Sequence, residues 1–246
     1  NLYEFAQKNN KGYLQKQFFL NLNRFAIKYS NLYSVTSEKD KNNLVNLFPK
    51  NFKEITVRPN WVNIKSYSNL ENRHKKKLLC IGRLEEQKNF SSLFRVIKGL
   101  DLELDIIGEG SQKDSLSQLK NKLDLSVNFM KPMENSKLMG LYKEYSFFVL
   151  PSKFEGNPKV LLEAMSSGCI VIGNNIDSIN EIIIDKKDGF IFDFESGTSD
   201  SFKSIINQEL KILQSISKAA HRKILKQNSL DIYLENEKND YSNLLK

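Results

Sequence analysis

The fold of this chain is decided by one stretch, residues 147–173, which reads Phe-Phe-Val-Leu-Pro-Ser-Lys-Phe-Glu-Gly-Asn-Pro-Lys-Val-Leu-Leu-Glu-Ala-Met-Ser-Ser-Gly-Cys-Ile-Val-Ile-Gly. An apolar run ends at Leu150, a Gly-Asn-Pro turn follows, good helix formers occupy residues 159–165, and a second apolar run begins at Ile170. Proline suits the first turn of a helix, and short apolar runs bounded by turns are typical of buried strands. The stretch therefore predicts a strand, a helix and a second strand, which is the unit of a parallel sheet.

The same alternation continues on both sides of this stretch. Apolar runs of strand length alternate with segments that carry apolar residues at helical spacing. The predicted strands cover residues 77–82, 102–107, 127–130, 147–150, 170–173 and 189–192. The predicted helices cover residues 88–100, 111–123, 136–145, 159–167 and 201–227. We therefore predict an α/β fold with a Rossmann-like, doubly wound parallel sheet, whose ligands bind beyond the carboxyl ends of the strands.

The first 64 residues follow a different pattern. Two helices are predicted at residues 1–29 and 38–47, and short strands at residues 32–35 and 55–59. These elements are too few for a complete second domain of the same kind. We therefore predict an incomplete N-terminal Rossmann-like domain before the sheet.

Composition narrows the class of protein. The chain has 246 residues, 40% of them hydrophobic, and a net charge of +8. Its lysines are scattered, with one basic block at residues 72–77, and no zinc-ligand spacing or aromatic RNA-binding motif accompanies them, so no nucleic-acid partner is predicted. Cys80 and Cys169 have apolar neighbours and are predicted to be small core residues. The N-terminus lacks a signal-peptide layout and no apolar run approaches the ~18 residues that cross a bilayer, so a cytoplasmic location is expected.

Two carboxylates flank the turn in the deciding stretch. Glu155 lies before the predicted helix and Glu163 inside it. Backbone N–H groups at the start of this helix attract phosphate or sugar oxygens, and Glu163 could accept both hydroxyls of a ribose. The segment resembles the Glu-x7-Glu signature of retaining GT-B nucleotide-sugar glycosyltransferases, known as glycosyltransferase family 4 or glycosyl transferases group 1. The resemblance implies that Glu155 meets the donor sugar and Glu163 the ribose.

A second segment, residues 80–89, resembles the Gly-Arg-Leu-x-x-x-Lys loop of the same family. It sets Arg83 and Lys88 five positions apart after Gly82. The resemblance implies that both cations hold the diphosphate and stabilise its charge as it leaves; a solvated pair on a surface loop is the alternative. Gly-Glu-Gly at residues 108–110 resembles the family's loop near base and ribose, although such turns are common in parallel sheets.

The resemblance implies a full set of site residues. Catalytic roles fall on Arg83, Lys88 and Glu155. Val127–Pro132 aligns with a base-binding loop, where Lys131 stands in place of the family's usual glycine. The residues implied to bind the donor are Gly82, Gly108, Met130, Lys131, Gly156, Asn157, Pro158, Lys159, Val160 and Glu163. His74 and His221 are predicted to be surface residues rather than acid-base catalysts. No cofactor and no metal are expected, since the donor is a nucleoside-diphosphate sugar.

The resemblance also implies an organisation and a function. Residues 1–64 would be the end of an acceptor-binding domain with its linker, residues 65–228 the donor-binding domain, and residues 229–246 a helix that crosses back to the first domain. The expected function is retaining transfer of a sugar to an acceptor hydroxyl, in the synthesis of cell-surface polysaccharide or glycolipid. The alternative is a truncated donor-site domain that binds nucleotide sugar or acts as a scaffold without turnover.

The expected partners are a nucleotide sugar and an acceptor sugar or glycolipid. Peripheral contact with the inner face of a membrane, a homo-oligomer and a separate chain that supplies the acceptor domain are left open. No nucleophile elbow, Walker loop or His-Glu-x-x-His pattern occurs in the sequence, which argues against the hydrolases, NTPases and metalloproteases that depend on those motifs.

Overall fold

A computed structural model of the chain describes residues 13–48, 55–63 and 67–245. The chain divides into two compact units, residues 1–60 with 233–246 and residues 61–232. The first part of the helix predicted at residues 1–29 and the predicted domain boundary at residue 64 lie outside the described residues. The assignment of segments to an acceptor-binding and a donor-binding domain stays a prediction.

The first unit contains a small parallel sheet with two helices. They are α1 (Tyr13–Tyr29), β1 (Tyr33–Val35), α2 (Glu38–Leu47) and β2 (Ile55–Val57), and β1 pairs with β2. Helix α2 begins after Ser37, whose hydroxyl accepts a hydrogen bond from the amide of Asp40, as an N-cap residue does. A small core forms from Ile27, Leu44, Phe48 and Ile55.

The second unit is built on a parallel sheet of six strands, hereafter the large sheet. Its strands are β3 (His74–Ile81), β4 (Glu103–Ile107), β5 (Ser126–Met130), β6 (Tyr145–Leu150), β7 (Ile170–Asn174) and β8 (Phe190–Phe192). Its helices are α3 (Phe90–Ile97), α4 (Lys113–Leu123), α5 (Asn135–Leu141), α6 (Lys159–Ser166), α7 (Asp177–Asn180), α8 (Ser199–Ile206) and α9 (Leu210–Gln227). The last helix, α10 (Leu230–Leu244), begins in this unit, and its residues from 233 onward belong to the first unit. The predicted doubly wound parallel sheet is confirmed.

Strand order fixes where a ligand can bind. The strands lie in the order β5-β4-β3-β6-β7-β8, and every pair is parallel. The chain winds outward from β3 to β5, returns to place β6 beside β3, and winds outward again in the other direction. The loops after β3 and β6 therefore diverge and leave a crevice, which is the topological switch point of such sheets. We call this end of the large sheet the carboxyl edge and the opposite end the amino edge.

Apolar side chains cover both faces of the large sheet. Successive side chains of a strand point to opposite faces, and accordingly Leu78 and Cys80 belong to one apolar cluster while Leu79 and Ile81 belong to another. Helix α3 packs within the first cluster and helix α6 within the second. Cys80 and Cys169 are fully buried and free, so their prediction as core residues is confirmed.

A local prediction was wrong. The single helix predicted at residues 201–227 is two helices, because the amide of Asn207 closes α8 on the carbonyl of Lys203 and Glu209 turns the backbone before α9 starts. Arg73, which belongs to the basic block at residues 72–77, is only 5% exposed. Its guanidinium donates to backbone carbonyls, among them those of Asn69 (2.8 Å), Ser68 (2.5 Å), Ser167 (2.6 Å) and Tyr145 (3.1 Å).

No helix in the described part of the chain combines the length and the hydropathy that crossing a membrane requires.

Candidate functional site

The loops after β3 and β6 meet in an ion pair at the switch point. Lys88 Nζ lies 2.6 Å from Glu155 Oε1, and the two side chains are only 12% and 9% exposed. Gly82 makes room for the lysine, since a Cβ atom at this position would lie 3.0 Å from Lys88 Cε. A cation and a carboxylate predicted from separate motifs are therefore brought together and largely shielded from solvent.

Further bonds join the same two loops. Gln87 Nε2 donates to the carbonyl of Phe154 (2.8 Å), and the amide of Lys153 donates to the carbonyl of Gln87 (2.8 Å). At the exposed rim, Lys153 Nζ lies 2.9 Å from Glu86 Oε1. These contacts hold the loops in one arrangement, so the position of Lys88 relative to Glu155 does not depend on the ion pair alone.

The loop after β4 packs against this crevice through backbone. Gly108 has φ +156°, and a Cβ atom there would lie 1.9 Å from the carbonyl oxygen of Gly82. Its amide donates to the carbonyl of Met130 at the end of β5 (3.0 Å). Any larger residue at position 108 would push the first loop out of place, which explains the glycine.

A carboxylate links the first and second loops. Glu85 accepts from the amide (2.9 Å) and the hydroxyl (2.7 Å) of Ser111. These bonds, and secondarily the charge of Arg83, lower the pKa of Glu85. Arg83 itself is exposed and, within the described segments, forms no ion pair, so its guanidinium is available at the mouth of the crevice.

Glu163 is buried below the turn, with 4% of its surface exposed. Oε1 accepts from Asn135 Nδ2 (2.9 Å) and Oε2 accepts from the Tyr142 hydroxyl (3.1 Å). Burial, followed by the charge of Glu163, raises the pKa of Tyr142 well above its usual value. Each carboxylate oxygen keeps a further acceptor position, and Asn135 is exposed. The carboxylate can therefore accept two more hydroxyl groups from a ligand that reaches the Asn135 side.

The turn before α6 presents the remaining predicted residues. Gly156 is exposed and Asn157 half-buried, while Pro158 is buried and has extended backbone as the N-cap of α6. Lys159 places its Nζ 4.7 Å from the centre of the Trp61 ring. The half-buried Val160 contributes its carbonyl, which accepts from the Tyr142 hydroxyl (3.3 Å). At the end of β5, Met130 is half-buried and Lys131 exposed.

Three residues of this arrangement were missed from the sequence. Tyr142 falls inside the helix predicted at residues 136–145, which gives it no role, yet its ring is buried while its hydroxyl reaches Glu163. Asn135 begins α5 one residue before the predicted start, and an asparagine at a helix start is ordinarily a cap. Gln87 lies between the recognised cations of its loop, and nothing in its spacing distinguished it.

The histidines take no part in this arrangement. His74 is exposed, and His221 is half-buried with Nδ1 2.6 Å from the carbonyl of Ser166. Across the described segments, no cluster of three or more His, Cys, Asp or Glu residues has the geometry of a metal site. What the crevice offers is a cation at its mouth, a buried cation–carboxylate pair and a buried carboxylate with spare acceptor positions. This set suits a ligand that carries both negative charge and neighbouring hydroxyl groups.

Known proteins resemble this chain in sequence. The family model described as "Glycosyl transferases group 1" matches residues 63–223, more than half of the chain. An uncharacterized glycosyltransferase of Haemophilus influenzae is 33% identical over 124 residues, which cover 47% of this chain and 35% of that protein. The UDP-Gal:alpha-D-GlcNAc-diphosphoundecaprenol alpha-1,3-galactosyltransferase of Escherichia coli is 29% identical over 197 residues, which cover 70% of this chain and 50% of that protein. The chain thus spans between about a third and a half of the length of these relatives.

A solved structure supports the fold. The crystal structure of HepE from Anabaena in complex with UDP and glucose superimposes with a TM-score of 0.81 at 16% identity, covering 98% of this chain and 70% of that one. At this identity the likeness concerns the fold alone, which is that of the GT-B glycosyltransferases.

Proposed function

The chain belongs to the family of glycosyl transferases group 1, and we propose that it binds a nucleoside-diphosphate sugar at the carboxyl edge and transfers the sugar to an acceptor hydroxyl with retention. The observation that carries the proposal is the ion pair between Lys88 and Glu155, which come from two loops, beside the turn that starts the helix carrying Glu163. UDP is the first candidate for the leaving group, because the name of the galactosyltransferase contains UDP-Gal and the HepE structure contains UDP.

In this proposal the diphosphate lies between Arg83 and Lys88. The ammonium group of Lys88 has three N–H donors, of which one is directed to Glu155. The other two remain for phosphate oxygens, and the exposed guanidinium of Arg83 adds a planar pair of donors. Both cations stabilise the negative charge that grows on the diphosphate as the bond to the sugar breaks.

The nucleoside is held by Glu163 and by the neighbouring loops. The ribose hydroxyls donate to the free acceptor positions of Glu163, whose orientation Asn135 and Tyr142 fix. The base lies near Gly108 and Met130, with Lys131 beside it. Because Lys131 is exposed, its ammonium group can move to accommodate the base.

The sugar lies over the turn that precedes α6. Glu155 and the amides of Gly156 and Asn157 bind its hydroxyls, and Lys159 and Val160 complete this wall. Pro158 has no N–H and shapes the turn. Since the ion pair with Lys88 fixes the carboxylate of Glu155, we assign it a positioning role toward the sugar hydroxyls rather than that of a nucleophile.

The chemical step follows from these positions. The bond between C1 of the sugar and the β-phosphate oxygen breaks, and the acceptor oxygen bonds to C1 from the same face, which retains the configuration. The acceptor proton passes to the departing β-phosphate oxygen, so no side chain has to act as a base. The transition state resembles an oxocarbenium ion, as in other glycosyl chemistry.

The acceptor and the setting are also proposed by analogy with relatives. The galactosyltransferase named above acts on a sugar linked to diphosphoundecaprenol. We therefore propose a glycolipid or a growing cell-surface polysaccharide as acceptor, reached from the cytoplasmic face of the membrane. A chain that binds the donor without turnover is the second candidate, since relatives extend well beyond the matched region.

The test is calorimetric titration of the chain with UDP, GDP and ADP, repeated on Glu163→Gln and Lys88→Gln. We expect one diphosphate to bind and each variant to lose at least tenfold in affinity, ~1.4 kcal/mol. Glu209→Gln is the control, because Glu209 is exposed and precedes α9.

The outcomes separate the candidates. Binding that both variants weaken, together with release of the diphosphate from the matching sugar nucleotide when acceptor is present, supports the transferase. Binding without turnover favours the donor-binding module. If none of the three diphosphates binds, or if the variants bind as well as the parent chain, the proposed site is wrong.

A further inference from the structure

Two adjoining cavities lie at the amino edge of the large sheet, at the end opposite to the proposed donor site. The larger has a volume of about 500 Å³ and is lined by Lys75, Lys76, Lys203 and residues 99–102. The smaller has a volume of about 170 Å³ and lies over the start of β6 and the start of α9. Lys75 and Ile206 line both. We call the two together the amino-edge groove.

The rim of the amino-edge groove is positively charged. Lys75 and Lys203 are exposed, and neither forms an ion pair with a carboxylate in the described segments. Lys76 pairs with Asp101, and both of these side chains are exposed. Three lysines against one aspartate leave an excess of positive charge, which favours an anionic ligand.

The floor of the groove is apolar, with one exception. Phe147 and Leu213 are buried, and Leu210 is half-buried beside them. The hydroxyl of Ser146, which lines the same cavity, is buried without a hydrogen-bond partner, and the residue is 2% exposed. A buried hydroxyl ordinarily has a partner, whereas this one, on a residue that lines the cavity, leaves its donor unused within the described chain.

We propose that the amino-edge groove binds a small anionic amphiphile, a phosphate monoester or carboxylate attached to an apolar body. The anionic head lies between Lys75 and Lys203 and accepts from the Ser146 hydroxyl. The apolar body packs against Ile206, Leu210 and Leu213. Along β3, Lys75 and the carboxyl edge are separated by roughly 20 Å at about 3.3 Å per residue, so this ligand does not compete with a nucleotide.

The test uses monooctyl phosphate below its micellar concentration, titrated into the chain by calorimetry. Inorganic phosphate supplies the head alone and octyl glucoside the apolar body alone. We expect monooctyl phosphate to bind and both partial probes to bind at least tenfold more weakly. We expect Lys75→Gln and Lys203→Gln each to weaken binding of monooctyl phosphate several-fold, and Ser146→Ala to do the same.

A matched control is available for the lysine variants. Lys226 is exposed and lies in the last turn of α9, as Lys203 lies in the last turn of α8. It is ~24 Å from Leu210 along the helix, at 1.5 Å per residue. Lys226→Gln removes the same charge and is expected to leave binding unchanged.

The amphiphile could be a membrane lipid or a free molecule. Sedimentation of the chain with vesicles of phosphatidylglycerol and phosphatidylcholine distinguishes the two. Sedimentation with the anionic vesicles that Lys203→Gln abolishes assigns the head to a membrane lipid. Binding of monooctyl phosphate without sedimentation assigns it to a free molecule, and either result supports the proposal. Equal binding of octyl glucoside and monooctyl phosphate, or Lys226→Gln acting as strongly as Lys203→Gln, overturns it.

Discussion

The two edges of the large sheet both gather cations, but they hold them differently. At the carboxyl edge, Lys88 is nearly buried and faces the carboxylate of Glu155 at 2.6 Å. At the amino edge, the buried Arg73 donates to backbone carbonyls, while Lys75 and Lys203 are exposed. The contrast lies in what each cation contacts rather than in how many cations are present.

The contacts of each cation show whether it supports the fold or can bind a ligand. Arg73 fixes the start of β6 and the end of α6 through the carbonyls of Tyr145 and Ser167, and a ligand could not replace these bonds without opening the core. Lys88 faces one carboxylate and keeps two donors for other oxygens. Lys203 has no carboxylate partner among the described residues, so its donors can serve an anion. The burial of a charged side chain therefore does not show whether it can bind a ligand. The groups that the side chain contacts do show it.

The largest effect is expected from Gly108→Ala, which tests whether the carboxyl edge depends on backbone contact. The added Cβ would lie 1.9 Å from the Gly82 carbonyl oxygen, in a backbone conformation that favours glycine. We expect a loss of about 4 kcal/mol in the free energy of unfolding from strain and overpacking together. Urea denaturation measures it.

Gly140→Ala is the control for this substitution. Gly140 lies exposed on α5 with no atom within 4 Å of the added Cβ. Alanine there is expected to stabilise the chain by roughly 0.5–1 kcal/mol, because it favours the helix. A Gly108→Ala variant that is as stable as the parent would show that the loops after β3 and β4 are not in the close contact described.

Arg73→Met tests the structural cation of the amino edge. The substitution removes the donors of several buried carbonyls, and hydrogen bonds to a charged group contribute about 1.5–3 kcal/mol each. Partial relaxation offsets some of this, so we expect a loss on the order of 3 kcal/mol in the free energy of unfolding. Lys76→Met, at an exposed lysine beside it, should change stability by no more than about 0.5 kcal/mol. Similar losses of stability from Arg73→Met and Lys76→Met would contradict the structural role assigned to Arg73.

Tyr142→Phe tests the support of the buried carboxylate. The variant keeps the ring in the core and removes the donor to Glu163. We expect a loss of about 1–2 kcal/mol in the free energy of unfolding, because a buried carboxylate loses one of its two observed partners. Tyr241→Phe, at an exposed tyrosine, should be neutral. Thermal unfolding of the two variants measures this difference. Equal stability of both variants would show that the hydrogen bond to Glu163 does not support the carboxylate.

The smallest effect is expected from Glu85→Gln, and it depends on pH. Bonds from Ser111, followed by the charge of Arg83, lower the pKa of Glu85 in the folded chain. A lowered pKa stabilises the folded state above the ordinary carboxyl range, and this contribution is lost as pH falls through the folded value. The variant should therefore differ from the parent near pH 7, and the difference should shrink as pH falls below the ordinary glutamate pKa of about 4.3. A constant difference at every pH would contradict this assignment.

The carboxyl edge was accessible from sequence because its residues lie in short motifs. Glu155 and Glu163 flank a turn within one segment, and Arg83 with Lys88 follows a strand that ends in glycine. Strand alternation then predicted the sheet, because each apolar run is short and bounded by turn residues. The hydrogen bond from Tyr142 to Glu163 could not be predicted, since it joins helices α5 and α6 through packing that no spacing encodes.

The arrangement at the amino edge could not be predicted from the sequence. Arg73 and Lys75 belong to one basic run in the sequence, yet one is buried and the other exposed. Their separation depends on where β3 enters the large sheet, which is a tertiary property. Lys203 and Ser146 lie far from this run in the sequence and meet the same groove only after folding. A run of basic residues in the sequence thus does not show which of them is buried in the fold. It also does not show which of them lines a groove.

The pairing of Val62 with Ser229 brings the two ends of the second unit together. Val62 is fully buried, its amide donates to the carbonyl of Asn228 at 2.9 Å, and the two segments run parallel. Residues 61–232 thus begin and end at neighbouring points, so a short linker joining these ends would leave the large sheet uninterrupted. Such a unit can be circularly permuted or moved as a cassette between proteins. Exchange of this unit would carry the whole proposed donor site, together with the amino-edge groove, in a single step.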